Sequence, residues 1–184
     1  MELNEEIIRQ YDSIADVYDT LFTDESSVRE NSFIAERLSK MEGSVYDIGC
    51  GTGLLLDLVS IDPSLYKGCD PSKRMVERFK KNHAAYADRV VCIPFEKSDD
   101  FQQYDNVVSI FGSISYVRKR SLKLLAETDC KKFLMFYKPD YVPLTYKKTN
   151  MDFKHYIYDK DRLGVMFEDC TREEFNNFII VSNL

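Results

Sequence analysis

The spacing of hydrophobic positions changes twice along the chain. Over residues 4–22, Tyr11, Ile14, Tyr18 and Leu21 recur every three or four positions, with Asp12, Asp16 and Asp19 between them. That spacing predicts an amphipathic helix. A second stripe, Val28, Phe33, Ile34 and Leu38, predicts a helix over 27–41, stopped by Gly43. From residue 44, short apolar runs alternate with helical patterns. "SVYDIG", "LYKGCD", "RVVCIP", "YDNVVSIF" and "KKFLMFYK" predict strands, and "GLLLDLVS", "SKRMVERFKKN" and "RKRSLKLLAET" predict helices among them. Such alternation predicts parallel strands with crossover helices, an α/β class with a doubly wound sheet.

After Pro139 the alternation stops. "FKHYIYD", "RLGVMFED" and "NNFIIVSN" read as strands, with a turn at Asp159–Lys160–Asp161 and a helical turn at "TREEF". The sheet is therefore expected to be mostly parallel with an antiparallel C-terminal ending. The expected organisation is one domain: residues 1–43 a helical lid, 44–138 an α/β core, and 139–184 the antiparallel ending.

Composition narrows the class. With 184 residues, 44% hydrophobic and 30% charged, the chain suits one globular domain. A chain of this size buries roughly 70% of its unfolded surface and needs no staple. The five cysteines form no C-x-x-C pair, which argues against a disulfide framework or zinc knuckle. Cys69 and Cys92, set among apolar residues, are expected to act as small core hydrophobes. No run reaches the ~18–20 apolar residues of a membrane span. The opening "MELNEEIIRQ" is acidic and does not read as a signal peptide. A reducing cytoplasm is the expected compartment.

The net charge of −6 is uneven: residues 1–43 carry 11 acids and 4 bases, whereas residues 118–154 carry 10 bases and 4 acids. Overall acidity argues against indiscriminate nucleic-acid binding. The basic segment leaves an anionic partner open, including RNA.

The chemistry centres on "YDIGCGTG", residues 46–53. A strand ends there in a glycine turn that opens a helix. Backbone can approach a ligand at such a turn, and the helix start favours an anion. The dinucleotide fingerprint G-x-G-x-x-G fails at Leu54, and no G-K-[ST] follows for a P-loop. At the tip of the next strand, "GCDPS" offers Asp70, a carboxylate able to accept both hydroxyls of a ribose.

"VYDIGCGTG" followed by "GCDPSKRM" resembles the first two motifs of class I S-adenosylmethionine-dependent methyltransferases. "YDSIADVYDTLF" resembles the lid helix of small members, and "YDNVVSIFGSISYV" their fourth motif. The resemblance spans about residues 11–138. It implies S-adenosyl-L-methionine as donor and S-adenosyl-L-homocysteine as product. By the same resemblance Asp47 and the backbone of Gly49 and Gly51, with Cys50 and Gly53 in the turn, hold the methionine end. Asp70 binds the ribose. Pro71, Met75, Pro94, Phe95 and Glu96 surround the adenine. Ser109, Ile110 and Phe111 run under the sulfonium, and Tyr11 and Tyr18 lie over it. Tyr116 is the expected substrate contact.

The implied reaction moves a methyl group by in-line displacement to an N or O atom of a small molecule. Two alternatives stay open: an RNA methyltransferase using residues 118–154, and a non-catalytic donor-binding subunit or sensor. No membrane partner is expected, and the assembly is expected to be a monomer or homodimer. His83 and His155 are both expected at the surface.

Overall fold

The computed structural model describes residues 3–142, 149, 151 and 153–184. The chain opens with α1 (Leu3–Ile14), a 3-10 turn (Tyr18–Leu21) and α2 (Glu25–Leu38). There follow β1 (Val45–Ile48), α3 (Leu54–Leu58), β2 (Tyr66–Cys69), α4 (Lys73–Asn82), β3 (Val90–Val91) and β4 (Asn106–Ser109). The rest comprises α5 (Lys119–Ala126), β5 (Lys131–Tyr137), α6 (Lys160–Met166), β6 (Thr171–Phe175) and β7 (Phe178–Ser182).

The strands form one sheet in the order β3-β2-β1-β4-β5-β7-β6. Its first five members are parallel, and β7 runs antiparallel between β5 and β6. Strand order reverses at β1, so the crevice at its carboxyl end lies between β2 and β4, where α/β sheets take their ligands.

Both sheet faces are covered, so the central strands β1 and β4 are buried throughout rather than on alternate residues. Tyr46, Ile48, Val107, Leu134 and Phe136 pack toward Leu122 and Leu125 of α5 and Leu163 of α6. Their neighbours Val45, Val108, Phe133 and Met135 pack toward Ile34, Leu55, Val76 and Phe79 of α2, α3 and α4. Asp47 shares the face of Val45, which carries its carboxylate into this second layer. Burial of a whole Leu, Ile or Phe side chain contributes roughly 1.5–3 kcal/mol.

The N-terminal segment is docked by its acids. Asp12 Oδ1 accepts from the Ser72 hydroxyl at 2.6 Å and the Arg74 N–H at 3.0 Å, at the first turn of α4. Asp16 pairs with Arg74. Asp19 accepts from the Thr52 hydroxyl at 2.6 Å and faces Arg78. Beneath these contacts Ile7, Ile14 and Ala15 bury against Met75 and Phe153. The acidic excess of the first residues thus meets the basic start of α4.

The C-terminal third corrects the sequence reading. Residues 153–158 form no strand: Tyr156 N–H donates to the Ser115 carbonyl at 2.9 Å and the Tyr158 hydroxyl to Val117 O at 2.8 Å, so this backbone serves a loop rather than a ladder. "RLGVMF" lies in α6, not a strand, because Asp159 caps it by accepting from Arg162 N–H at 2.8 Å. "TREEF" is β6, not a helical turn. Asn176, at φ 48, forms the tight turn that pairs it with β7. Its charged residues, Arg172, Glu173 and Glu174, suit an edge strand. The strand predicted at "RVVCIP" shrinks to Val90–Val91, which leaves Cys92 exposed rather than in the core. Residues 143–148, 150 and 152 of the basic segment lie outside the described residues. Among the described residues no helix is long and apolar enough to cross a membrane.

Candidate active site

The crevice begins where β1 stops. Gly49 and Cys50 N–H both donate to the Cys69 carbonyl, at 2.8 and 3.1 Å, which straps the glycine turn to the end of β2. Gly51 has φ 52, and a side chain built on it would meet no atom within 4 Å. The turn thus exposes bare backbone to open space. Gly49 has no such room: a Cβ there would run into Ser113 at 2.5 Å. Glycine here lets the turn after β4 press against the turn after β1.

Asp70 closes the next edge. Its Oδ2 accepts from Gly51 N–H at 3.0 Å and its Oδ1 from Ser72 N–H at 2.8 Å. Each oxygen keeps a further lone pair, and the residue lines the crevice. Burial pushes its carboxyl up to about 6, against the pull of the Ser72 and Gly51 N–H groups, with Asp12 adding to the rise.

The crevice holds about 770 Å³ including its open mouth. Pro71, Met75, Pro94, Phe95 and Glu96 line it with Asp70, Gly49 and Gly51. Glu96 Oε1 accepts from Arg118 N–H at 3.1 Å. Ile7, Ile8, Tyr11 and Tyr18 line it from the N-terminal segment, and Ser113 and Tyr116 from the loop after β4. The Tyr11 and Tyr116 hydroxyls lie 3.4 Å apart. Burial holds both phenols far above their ordinary value, so they are neutral donors.

Five residues expected at the site stand elsewhere around it, and a sixth faces a different cavity. Asp47 does not line the crevice. Its Oδ2 accepts from the Tyr66 hydroxyl at 2.9 Å, while Oδ1 is buried without a partner. Burial pushes its carboxyl up to about 7. Cys50 packs over Gly68. Gly53 opens α3 against His83 and Phe79. Ser109 donates to Ile48 O at 2.9 Å, beside buried Ile110. Phe111, at φ 52, lines a second cavity beyond Tyr18.

Both histidines correct the sequence reading. His83 is largely covered, its ring 5.3 Å from Phe79, because Gly53 leaves room above it. His155 packs against Tyr137 and Tyr116, at 5.0 and 6.2 Å between ring centres. Its Nε2 is buried without a partner, and burial holds the ring below the usual imidazole range. Tyr137, the last residue of β5, was findable from its place at a strand tip. Nothing in the local pattern pointed to Ile7, Ile8 or His155.

The basic segment is divided in space. Lys132 is buried and donates to the Thr128 and Cys130 carbonyls, both at 2.7 Å, and Lys138 pairs with Glu174 at 2.8 Å. Lys119, Arg120 and Lys123 are exposed on α5.

Bare backbone at Gly51 and a carboxylate with two free lone pairs suit a nucleoside with an amino-acid tail. Residues 46–129 match a family model described as a methyltransferase domain. No curated protein matches the chain. Among solved structures, one is an S-adenosylmethionine-dependent methyltransferase, a possible histamine N-methyltransferase, from Thermotoga maritima. It is 15% identical, with TM-score 0.67 over 96% of this chain and 98% of that one. The DhpI complex with S-adenosylhomocysteine is 16% identical, with TM-score 0.67 over 98% and 96%. A magnesium protoporphyrin IX methyltransferase from Synechocystis PCC 6803 is 16% identical, with TM-score 0.58 over 91% of each chain.

Proposed function

We propose, from the premise that the chain carries a class I S-adenosylmethionine-dependent methyltransferase domain, that it methylates an N or O atom of a small molecule. The observation that carries the reading is Asp70: oriented by two backbone N–H groups, it faces the crevice beside the bare Gly51 backbone.

S-adenosylmethionine, when bound, supplies an activated methyl group on a sulfonium. Asp70 would accept from the ribose hydroxyls. Pro71, Met75 and Phe95 would enclose the adenine, with Glu96 at its edge. The Gly49–Gly51 backbone would lie along the methionine end, with Asp47 buried behind the turn. Tyr11, Tyr18 and Tyr116 exclude water and turn ring faces and neutral hydroxyls toward the reacting region. No nucleophile from the chain is needed. Alignment alone can lower such a barrier by roughly 7–11 kcal/mol. Residues 3–21, latched onto α4, act as a lid.

The apolar lining of the crevice supports a small acceptor over RNA, as does the burial or pairing of Lys132 and Lys138. Calorimetry with S-adenosylhomocysteine tests the donor assignment, and absence of heat at millimolar ligand would overturn it. Donor consumption across metabolite and RNA pools, with mass spectrometry of the methylated product, tests the acceptor. A methylated RNA would replace the small-molecule reading.

A further inference from the structure

A second cavity lies on the far side of Tyr18. Most of its wall is the rings of Tyr18, Phe22, Phe111, Tyr137, Tyr141 and Phe178, with Leu54 beside them. Tyr18 and Phe22 stand 5.0 Å apart between ring centres. Tyr137 lies 5.4 Å from Tyr141 and 5.6 Å from Phe178, and Phe111 lies 5.9 Å from Phe178. Glu30, from the middle of α2, also lines it.

Glu30 is only 7% exposed. One oxygen accepts from the Asn176 side chain at 3.1 Å. Among the described residues no base lies within ion-pair distance, and no lysine or arginine lines the cavity. A carboxylate buried this way, without a cation, costs stability. Burial accordingly holds it above the usual glutamate range. Ring faces carry negative electrostatic potential, and several around one space recognise ammonium groups. An aromatic enclosure with a buried carboxylate at one wall is therefore chemistry suited to an organic cation.

Resting on the methyl-transfer reading above, we propose that this cavity takes the positively charged amine head of the small-molecule substrate. Glu30 neutralises the charge and the rings enclose it. Tyr18 is the shared wall that sets the head beside the donor crevice.

The test uses two unreactive probes, choline and its uncharged isostere 3,3-dimethylbutan-1-ol, titrated into the intact protein. Binding is read by tyrosine fluorescence and calorimetry, with and without S-adenosylhomocysteine. Choline is expected to bind at least tenfold more tightly than the alcohol. Glu30→Gln, which keeps an acceptor for Asn176, is expected to erase that preference and leave S-adenosylhomocysteine affinity within twofold. Tyr141→Leu is expected to weaken choline at least fivefold.

Equal binding of the two probes would overturn the proposal, as would a preference that survives Glu30→Gln. Loss of S-adenosylhomocysteine affinity in Glu30→Gln would assign the cavity to the donor's own ammonium and likewise overturn it. If Glu30→Gln does not fold, the wild-type comparison with Tyr141→Leu decides. A wild-type protein that selects choline yet binds no S-adenosylhomocysteine would instead sink the methyl-transfer reading.

Discussion

Two cavities meet at the Tyr18 ring, and they are built in opposite ways. The crevice on one side depends on neighbours in sequence: Gly49 and Gly51 of one turn, then Asp70 to Met75, then Pro94 to Glu96. Its polarity is that of one carboxylate, Asp70, held by backbone N–H groups. The cavity on the other side gathers single residues from α2, the ends of β4 and β5, the loop after β5 and the start of β7. Its polarity is one glutamate among rings. The difference teaches where specificity resides. A turn can bind a common donor with few side-chain choices, whereas a wall of separate side chains can be altered one at a time.

The largest expected effect separates the two sides outright. Asp70→Ala should weaken S-adenosylhomocysteine at least tenfold by calorimetry, because two hydrogen bonds to a charged group contribute about 1.5–3 kcal/mol each. Choline binding should stay within twofold. Equal loss of both ligands would mean the cavities are one site.

Acidity should draw the same line. Asp70 accepts best when ionised, and its carboxyl titrates near 6 in the free protein. Donor-product affinity should be flat above pH 7 and fall about tenfold per unit below 6. Titrations at pH 5, 6, 7 and 8 check this, and a flat profile would remove Asp70 from the contact.

Tyr18→Ala breaks the shared wall. A loss of threefold to tenfold is expected for both S-adenosylhomocysteine and choline, with folding intact by circular dichroism. A loss confined to one ligand would place Tyr18 on that side alone.

The last effect concerns stability rather than binding. The Asp47 carboxyl titrates at about 7 when folded, against about 4 unfolded. The folded state therefore holds this proton more firmly. The penalty for ionising Asp47 is present above 7 and gone below 4. Asp47→Asn should raise the melting temperature at pH 8 by about 2–4 °C per kcal/mol relieved. The gain should vanish by pH 4.

How much of this could be read from the chain follows from the same contrast. The parallel core was legible because each strand and crossover helix carries its own period. The crevice was legible because Gly49, Gly51 and Asp70, which line it, sit in short motifs. The ending was not. "TREEF" looks helical by composition, and only the Asn176 turn, with β7 beside it, makes it a strand. In "RLGVMF" the apolar run hid a helix announced by the Asp159 cap. Glu30 was unreadable, since an acid on an amphipathic helix normally faces water. Here the cavity behind α2 and the Asn176 side chain draw it inward.

The docking of α1 has a kinetic consequence. The segment that follows it is fastened to α4 partly through the exposed pair Asp16–Arg74 and the half-buried Asp19–Arg78. Contacts of that kind are screened as electrolyte is added. The hydrocarbon beneath, Ile7 and Ile14 on Met75, is untouched by such screening. If this segment is the lid proposed above, a nucleoside product is expected to leave the crevice sooner in brine than in dilute buffer.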